Sequence, residues 1–257
     1  MIKVLLSPAK SLNSEGNLNK PFTSSAYFLK EANQLAKKMQ KISSKKLEGM
    51  MHISKELADL NKYRYDNWVT PEFENEDVKT CIELFNGEAY KGFDVYTLSS
   101  EDLNFAQESL RILSGLYGIL KPLDLIYPYR LEMGTKWKID ANTPSLYAFW
   151  KNKLAKQLNN ETSSYIINLA STEYFKAIDQ KQLKARVITP VFKDFKNGEY
   201  KVIMMYAKNA RGTMARYCIQ NKLTDPEQLK LYNVNGYSYD DKLSSESEWV
   251  FTRINSI

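Results

Sequence analysis

A chain of 257 residues can hold one large domain or two small ones. With 43% hydrophobic and 26% charged residues it has ordinary globular balance, and 10 Gly and 8 Pro exclude collagen-like and low-complexity chains. The net charge of +6 is a mild basic excess, compatible with a polyanionic partner.

In chain order, Ile2 to Leu6 is a short apolar run that reads as a buried strand ending in the polar turn Ser7-Pro8-Ala9-Lys10-Ser11. Ser25 to Lys41 sets Phe28, Ala32, Leu35, Ala36 and Met39 at helical spacing, and Ser54 to Tyr63 repeats the pattern with Leu57, Ala58 and Leu60. Residues 66–102 are acidic, with ten Asp and Glu against two Lys. Ser99, with Asp102 three residues on, opens a helix in the manner of a capping box. Leu103, Ala106, Leu110 and Leu113 mark its buried stripe, and Gly115 and Gly118 break it. Thr143-Pro144 starts another helix with Leu146, Phe149, Trp150, Leu154 and Leu158 on one side. Tyr165 to Ala170 is a strand leading to the helix start Ser171-Thr172-Glu173. Arg186–Phe195 and Glu199–Tyr206 read as strands joined by Asn197-Gly198, the pair a type I′ turn favours. Thr213 to Asn221 reads as helix, Thr224-Asp225-Pro226-Glu227 caps another, and Glu248 to Ile254 is a last strand. There is no repeat and no linker, so a single α+β domain over 1–257 is expected, with several strands surrounded by helices.

Two cysteines, Cys81 and Cys218, and one histidine, His52, are too few and too scattered for a zinc site. His52 lies in no nucleophile-elbow pattern, so no metal or cofactor is expected. Two separated thiols fit a reducing compartment, and neither a signal peptide nor an 18-residue apolar stretch is visible. A cytoplasmic protein without membrane attachment is expected.

Positive charge gathers at residues 176–222, eleven Lys and Arg against three acidic residues, and a phosphate backbone would choose such a surface. Its densest point, Lys208-Asn209-Ala210-Arg211-Gly212, reads as a strand end feeding a helix that carries Arg216, an arrangement suited to anions. The turn with Lys10 and the Ser171 start also follow strands. If those strands are neighbours, their ends line one cleft. Leu110 to Leu123 resembles a helix-hairpin-helix near 101–127, in which Ser114, Gly115 and Gly118 let backbone N–H groups approach phosphate and Lys121 adds charge. The glycines are three apart where the usual hairpin has two. Tyr127 to Gly134 supplies a cleft wall with Arg130 either held by Glu132 or free for phosphate. Glu132 and Glu173 are general acid/base candidates if they meet there.

Together these segments resemble the YaaA family of bacterial peroxide-stress proteins. The resemblance is carried by Leu5-Leu6-Ser7-Pro8-Ala9-Lys10-Ser11-Leu12, by Leu113-Ser114-Gly115-Leu116-Tyr117-Gly118 with Pro122-Leu123-Asp124, and by Tyr129-Arg130-Leu131-Glu132-Met133-Gly134. Asn168-Leu169-Ala170-Ser171, Glu173-Tyr174, Tyr206-Ala207-Lys208, Ala210-Arg211-Gly212 and Asn235-Gly236-Tyr237 continue it in order along the chain. It implies a family-specific single-domain fold, a basic cleft, a helix-hairpin-helix, and binding to duplex or branched DNA without strong sequence preference under oxidative stress. It also implies a link to limiting free iron.

The leading expectation is therefore a non-enzymatic DNA-binding protection protein, with Lys10, Ser114, Gly115, Gly118, Lys121, Arg130, Lys208, Arg211 and Arg216 toward DNA. The alternative is an enzyme acting on nucleic acid or a nucleotide in the same cleft. A third reading gives iron to the acidic stretch Glu72, Glu74, Glu76 and Asp77, since hard carboxylates suit it.

Overall fold

Lys3–Leu6, Leu110–Ser114 and Tyr165–Asn168 carry apolar side chains on both faces, so each can be buried only as a strand covered on two sides. The computed structural model describes residues 2–71, 76–161 and 164–254. Its strands are β1 (Lys3–Leu6), β2 (Ser11–Leu12), β3 (Ser24–Ser25), β4 (Lys79–Thr80), β5 (Phe85–Asn86), β6 (Leu110–Ser114), β7 (Gly118–Leu120), β8 (Asp124–Ile126), β9 (Tyr165–Asn168), β10 (Arg186–Lys196), β11 (Glu199–Lys201), β12 (Ser238–Tyr239) and β13 (Glu248–Ile254). Its helices are α1 (Leu29–Met39), α2 (Ser44–Met51), α3 (Lys55–Asp66), α4 (Cys81–Leu84), α5 (Glu88–Phe93), α6 (Ser100–Ser109), α7 (Leu146–Asn160), α8 (Thr172–Phe175) and α9 (Met204–Gln220).

The main sheet runs β12-β13-β10-β9-β1-β6-β7, with β11 added to β10. β1 sits at its centre, parallel to both neighbours, with Val4 in register with Ile167 of β9 and Leu110 of β6. β9, β10 and β13 continue the parallel run. Two small sheets, β2-β5 and β3-β8-β4, flank it. The mixed sheet wrapped by helices matches the expected class. One hydrophobic cluster gathers residues from Ile2 to Phe251, with Trp150, Tyr117 and Leu5 fully buried in it. Among the described residues no helix is long and apolar enough to cross a membrane.

Several local readings hold. Ser99 and Asp102 form a reciprocal capping box on α6. Asn197 and Gly198 both take left-handed φ, 55° and 83°, and turn β10 back onto β11.

Two readings are corrected. Leu110 to Leu123 is not a helix-hairpin-helix. α6 stops at Ser109, and the chain then forms an antiparallel strand hairpin in which Ser114 pairs with Gly118 and Ile112 with Leu120. Residues 111–120 are buried throughout, so an apolar stripe on one helical face could not satisfy them; a strand covered on both sides does. Gly118 takes φ 73° at the turn. The second correction concerns Lys208–Gly212, which lie inside α9 instead of before a helix start. Gly212 there serves packing: a Cβ would stand 1.8 Å from the Ala89 carbonyl of α5.

Candidate functional site at the carboxyl ends of the parallel strands

Because β1 and β9 are adjacent and parallel, the turns that follow them leave the sheet at the same end. Ser171 N donates to Ser7 Oγ at 2.8 Å, the Ser7 hydroxyl donates to Ser171 Oγ at 3.3 Å, and Tyr90 donates to the Ser7 carbonyl at 2.9 Å. Three residues past Ser7, Lys10 forms a 2.6 Å ion pair with Glu132, which also accepts from Arg130 Nη2 at 3.0 Å. The loop carrying Arg130 and Glu132 is held from several sides. Tyr65 donates to the Arg130 carbonyl at 3.0 Å, and Gly134 N donates to Glu173 Oε1 at 2.8 Å. The Tyr174 hydroxyl hydrogen-bonds the Met133 backbone, while burial, then Tyr129, Glu173 and Glu132, push its pKa well up. Glu173 of α8 thus holds, through Gly134, the loop that carries Glu132, which pairs with Lys10 and Arg130.

The other expected DNA contacts are distributed differently. Ser114 is fully buried, shares a 2.6 Å hydrogen bond with Tyr129, and accepts from Leu116 N and Tyr117 N. Gly115 lies against the Leu131 carbonyl, 2.3 Å from where a Cβ would stand, and Gly118 lies against Trp150. Ser114, Gly115 and Gly118 are therefore buried: Ser114 and Gly115 seat the Arg130 loop, and Gly118 receives Trp150. Lys121 follows β7 and lies at the opposite end of the sheet, on a polar cavity of about 320 Å³ with Lys3, Arg111, Asp124 and Glu161. Arg111 and Glu161 pair there at 2.7 Å. Arg216 donates to the Phe93 and Asp94 carbonyls, tying α9 to the end of α5. Arg211 is half-buried, and burial lowers its pKa. Lys208 is exposed.

A cationic groove lies beside this site. Lys45, Lys46, Gly49 and Met50 of α2 face Lys136, Trp137 and Lys138 across a groove of about 380 Å³ whose lining contains no carboxylate. All four lysines are exposed and form no ion pair among the described residues. The segment continues directly from the Arg130–Gly134 loop and is anchored by Lys38, which donates to the Ile139 carbonyl and pairs with Asp140. The sequence carries two faint signals: a Lys-Lys pair opening a helix, where the dipole disfavours cations, and the alternation Lys-Trp-Lys-Ile. Nothing in it shows that segments ninety residues apart face each other.

Among the described residues no group of three or more His, Cys, Asp or Glu stands close enough to hold a metal ion. Of the acidic stretch expected to take iron, Glu72 and Glu74 lie outside the described residues.

Fold and site define a mixed α/β protein with a two-cation polar site at parallel strand ends and a lysine groove beside it. The sequence matches the profile of the family described as "Peroxide stress protein YaaA" over residues 2–243. It is 46% identical to a "UPF0246 protein" of Colwellia psychrerythraea over 98% of this chain and 99% of that one, and 46% identical to another of Cupriavidus metallidurans over 97% and 98%. A Neisseria meningitidis UPF0246 protein is 44% identical over 98% of both chains. The chain belongs to the YaaA peroxide stress protein family.

Proposed function

We propose that this protein binds the sugar-phosphate backbone of DNA during peroxide stress along the groove of Lys45, Lys46, Lys136 and Lys138, which the 130–138 segment joins to the Glu132-paired cations Lys10 and Arg130. The observation that carries the reading is the groove: four exposed lysines converge on it, and no acidic side chain lines it. Lysines unopposed in this way repel one another, and a polyanion relieves the repulsion while releasing its own counterions. Two of them open α2, where free N–H groups add to the positive potential. Such contacts grip backbone and not base edges, so recognition is independent of sequence and serves duplex and branched DNA alike. Membership in a peroxide-stress family supports placing this grip in the protection of DNA.

The test is duplex binding by fluorescence anisotropy across a salt series. Wild-type affinity falls steeply with salt. Replacing Lys45, Lys46, Lys136 and Lys138 by Ala weakens binding at least about tenfold at moderate salt and flattens the log–log slope by roughly 0.9 for each phosphate no longer neutralised. Absent binding, or a four-lysine variant that binds like wild type, overturns the reading.

A further inference from the structure

Between Lys10 and Arg130 the chain holds a carboxylate of its own. Glu132 Oε2 accepts from Lys10 Nζ at 2.6 Å, and Glu132 Oε1 accepts from Arg130 Nη2 at 3.0 Å. The Arg130 side chain is only 16% exposed, yet its buried Nε has no hydrogen-bond partner among the described residues. A buried donor of a charged group left unpaired is costly. Glu132, two residues along the same loop, engages one guanidinium nitrogen and leaves this one. A group presenting several oxygens would span Nη2 and Nε together, the fork geometry in which guanidinium meets phosphate.

We propose that Lys10 and Arg130 form a seat for a terminal phosphate monoester, and that Glu132 is an internal stand-in displaced when the phosphate enters. Charge separates a terminal phosphate from an internal one. A phosphodiester carries one negative charge, as Glu132 does, and gains nothing electrostatically by replacing it. A monoester carries about −1.5 to −2 at neutral pH and outcompetes a single carboxylate between two cations. Shape agrees. Arg130 and Glu132 are mostly buried at the strand ends, with the more exposed Lys10 at the mouth. A phosphate with one ester link can enter, whereas one flanked by sugars on both sides is held at the rim. Taking the monoester as the end of a DNA strand rests on the DNA-binding reading above. The seat itself does not.

The experiment compares duplexes carrying a 5′-phosphate, a 3′-phosphate or hydroxyls at both ends, with inorganic phosphate titrated separately and followed by ³¹P line broadening. Wild type favours a phosphorylated end. Glu132→Gln, which removes the competing charge, tightens binding of that duplex and of inorganic phosphate by about tenfold. Arg130→Met abolishes both effects. If Glu132→Gln proves unfolded by thermal melting, Lys10→Met, which removes the exposed partner, must erase the preference for phosphorylated ends. Equal affinity for all three duplexes, with salt-dependent binding intact, overturns the phosphate seat and leaves DNA binding standing. Saturable, Arg130-dependent binding of inorganic phosphate without any duplex binding keeps the seat, assigns it to a free phosphate or nucleotide, and overturns the DNA reading. A Glu132→Gln variant that folds and binds phosphate less well than wild type overturns the stand-in role.

Discussion

Asp124 shows how one buried residue ties stability to pH. Its carboxylate accepts from Ser24 Oγ at 2.6 Å and from Lys121 N at 2.8 Å, but burial dominates and pushes its pKa up to about 6. An unfolded Asp titrates near about 3.9. Between those values the native chain holds the proton and the unfolded chain releases it. The resulting stability is fully present below about pH 4 and is lost as pH rises through 6, about 3 kcal/mol at most. Asp124→Asn mimics the protonated acid and does not titrate. Its destabilisation relative to wild type is therefore larger at pH 4.5 than at pH 7.5 in denaturant unfolding. A gap that widens with pH would mean that the hydrogen bonds, and not burial, set this carboxyl. Gly115 makes a second case. A Cβ there meets the Leu131 carbonyl at 2.3 Å, so Gly115→Ala displaces the Arg130 loop and costs about 1–3 kcal/mol, read as a lowered denaturation midpoint. That loss arises although Gly115 touches no ligand.

At the scale of elements, the contact between α5 and α9 sets helix propensity against space. Ala is the better helix former by about 1 kcal/mol, which alone would make Gly212→Ala stabilising. The Cβ would stand 1.8 Å from the Ala89 carbonyl, however, and backbone cannot swing aside as a side-chain tip can. The helices must part, and each is pinned: Tyr90 of α5 reaches Ser7, and Arg216 of α9 caps α5. We expect a net loss of at least about 2 kcal/mol in urea unfolding, with the Ser7–Ser171 turn disturbed as well. Elements also show where sequence reading stops. β13, the β10 turn and the α6 capping box are legible because their signals are local: a short aromatic and β-branched run, turn residues and a cap. β6 is not, because Leu110 and Leu113 continue the stripe of Leu103 and Ala106, so its apolar residues fit a helical period as well as a strand. The start of α9 is hidden for the converse reason, since Glu199 to Tyr206 alternates well enough to pass for one strand. In the site, Lys10, Arg130, Glu132 and Glu173 can be picked out as polar residues after strands or in an aromatic loop. The adjacency of β1 and β9, which brings Ser171 to Ser7, is a long-range pairing that no local pattern encodes.

Across the whole molecule, charge along the chain is a poor guide to charge on the surface. The acidic stretch 66–102 and the basic stretch 176–222 fold against each other. Lys222 pairs with Glu101 at 3.2 Å and Asp102 at 3.5 Å, and Arg216 is spent on the carbonyls that end α5. Arg186 pairs with Glu246 and Lys201 with Glu199. Part of the basic surplus of residues 176–222 is thus engaged within the fold, while two of the groove cations close a separate lysine run, Lys37, Lys38, Lys41, Lys45 and Lys46, and the other two come from the 136–138 segment. The two sets of cations separate by experiment. Arg216→Ala removes hydrogen bonds from a charged donor and lowers stability by about 1–2 kcal/mol, yet it leaves the salt slope of duplex binding nearly unchanged. Replacing the four groove lysines does the reverse: the melting temperature holds or rises slightly as like charges are relieved, and the slope falls by up to about 3.6, the value for four phosphates left to their counterions. Should Arg216→Ala flatten the slope as strongly as the groove variant, the DNA-facing surface would lie on α9, and the groove would be left with no role in binding.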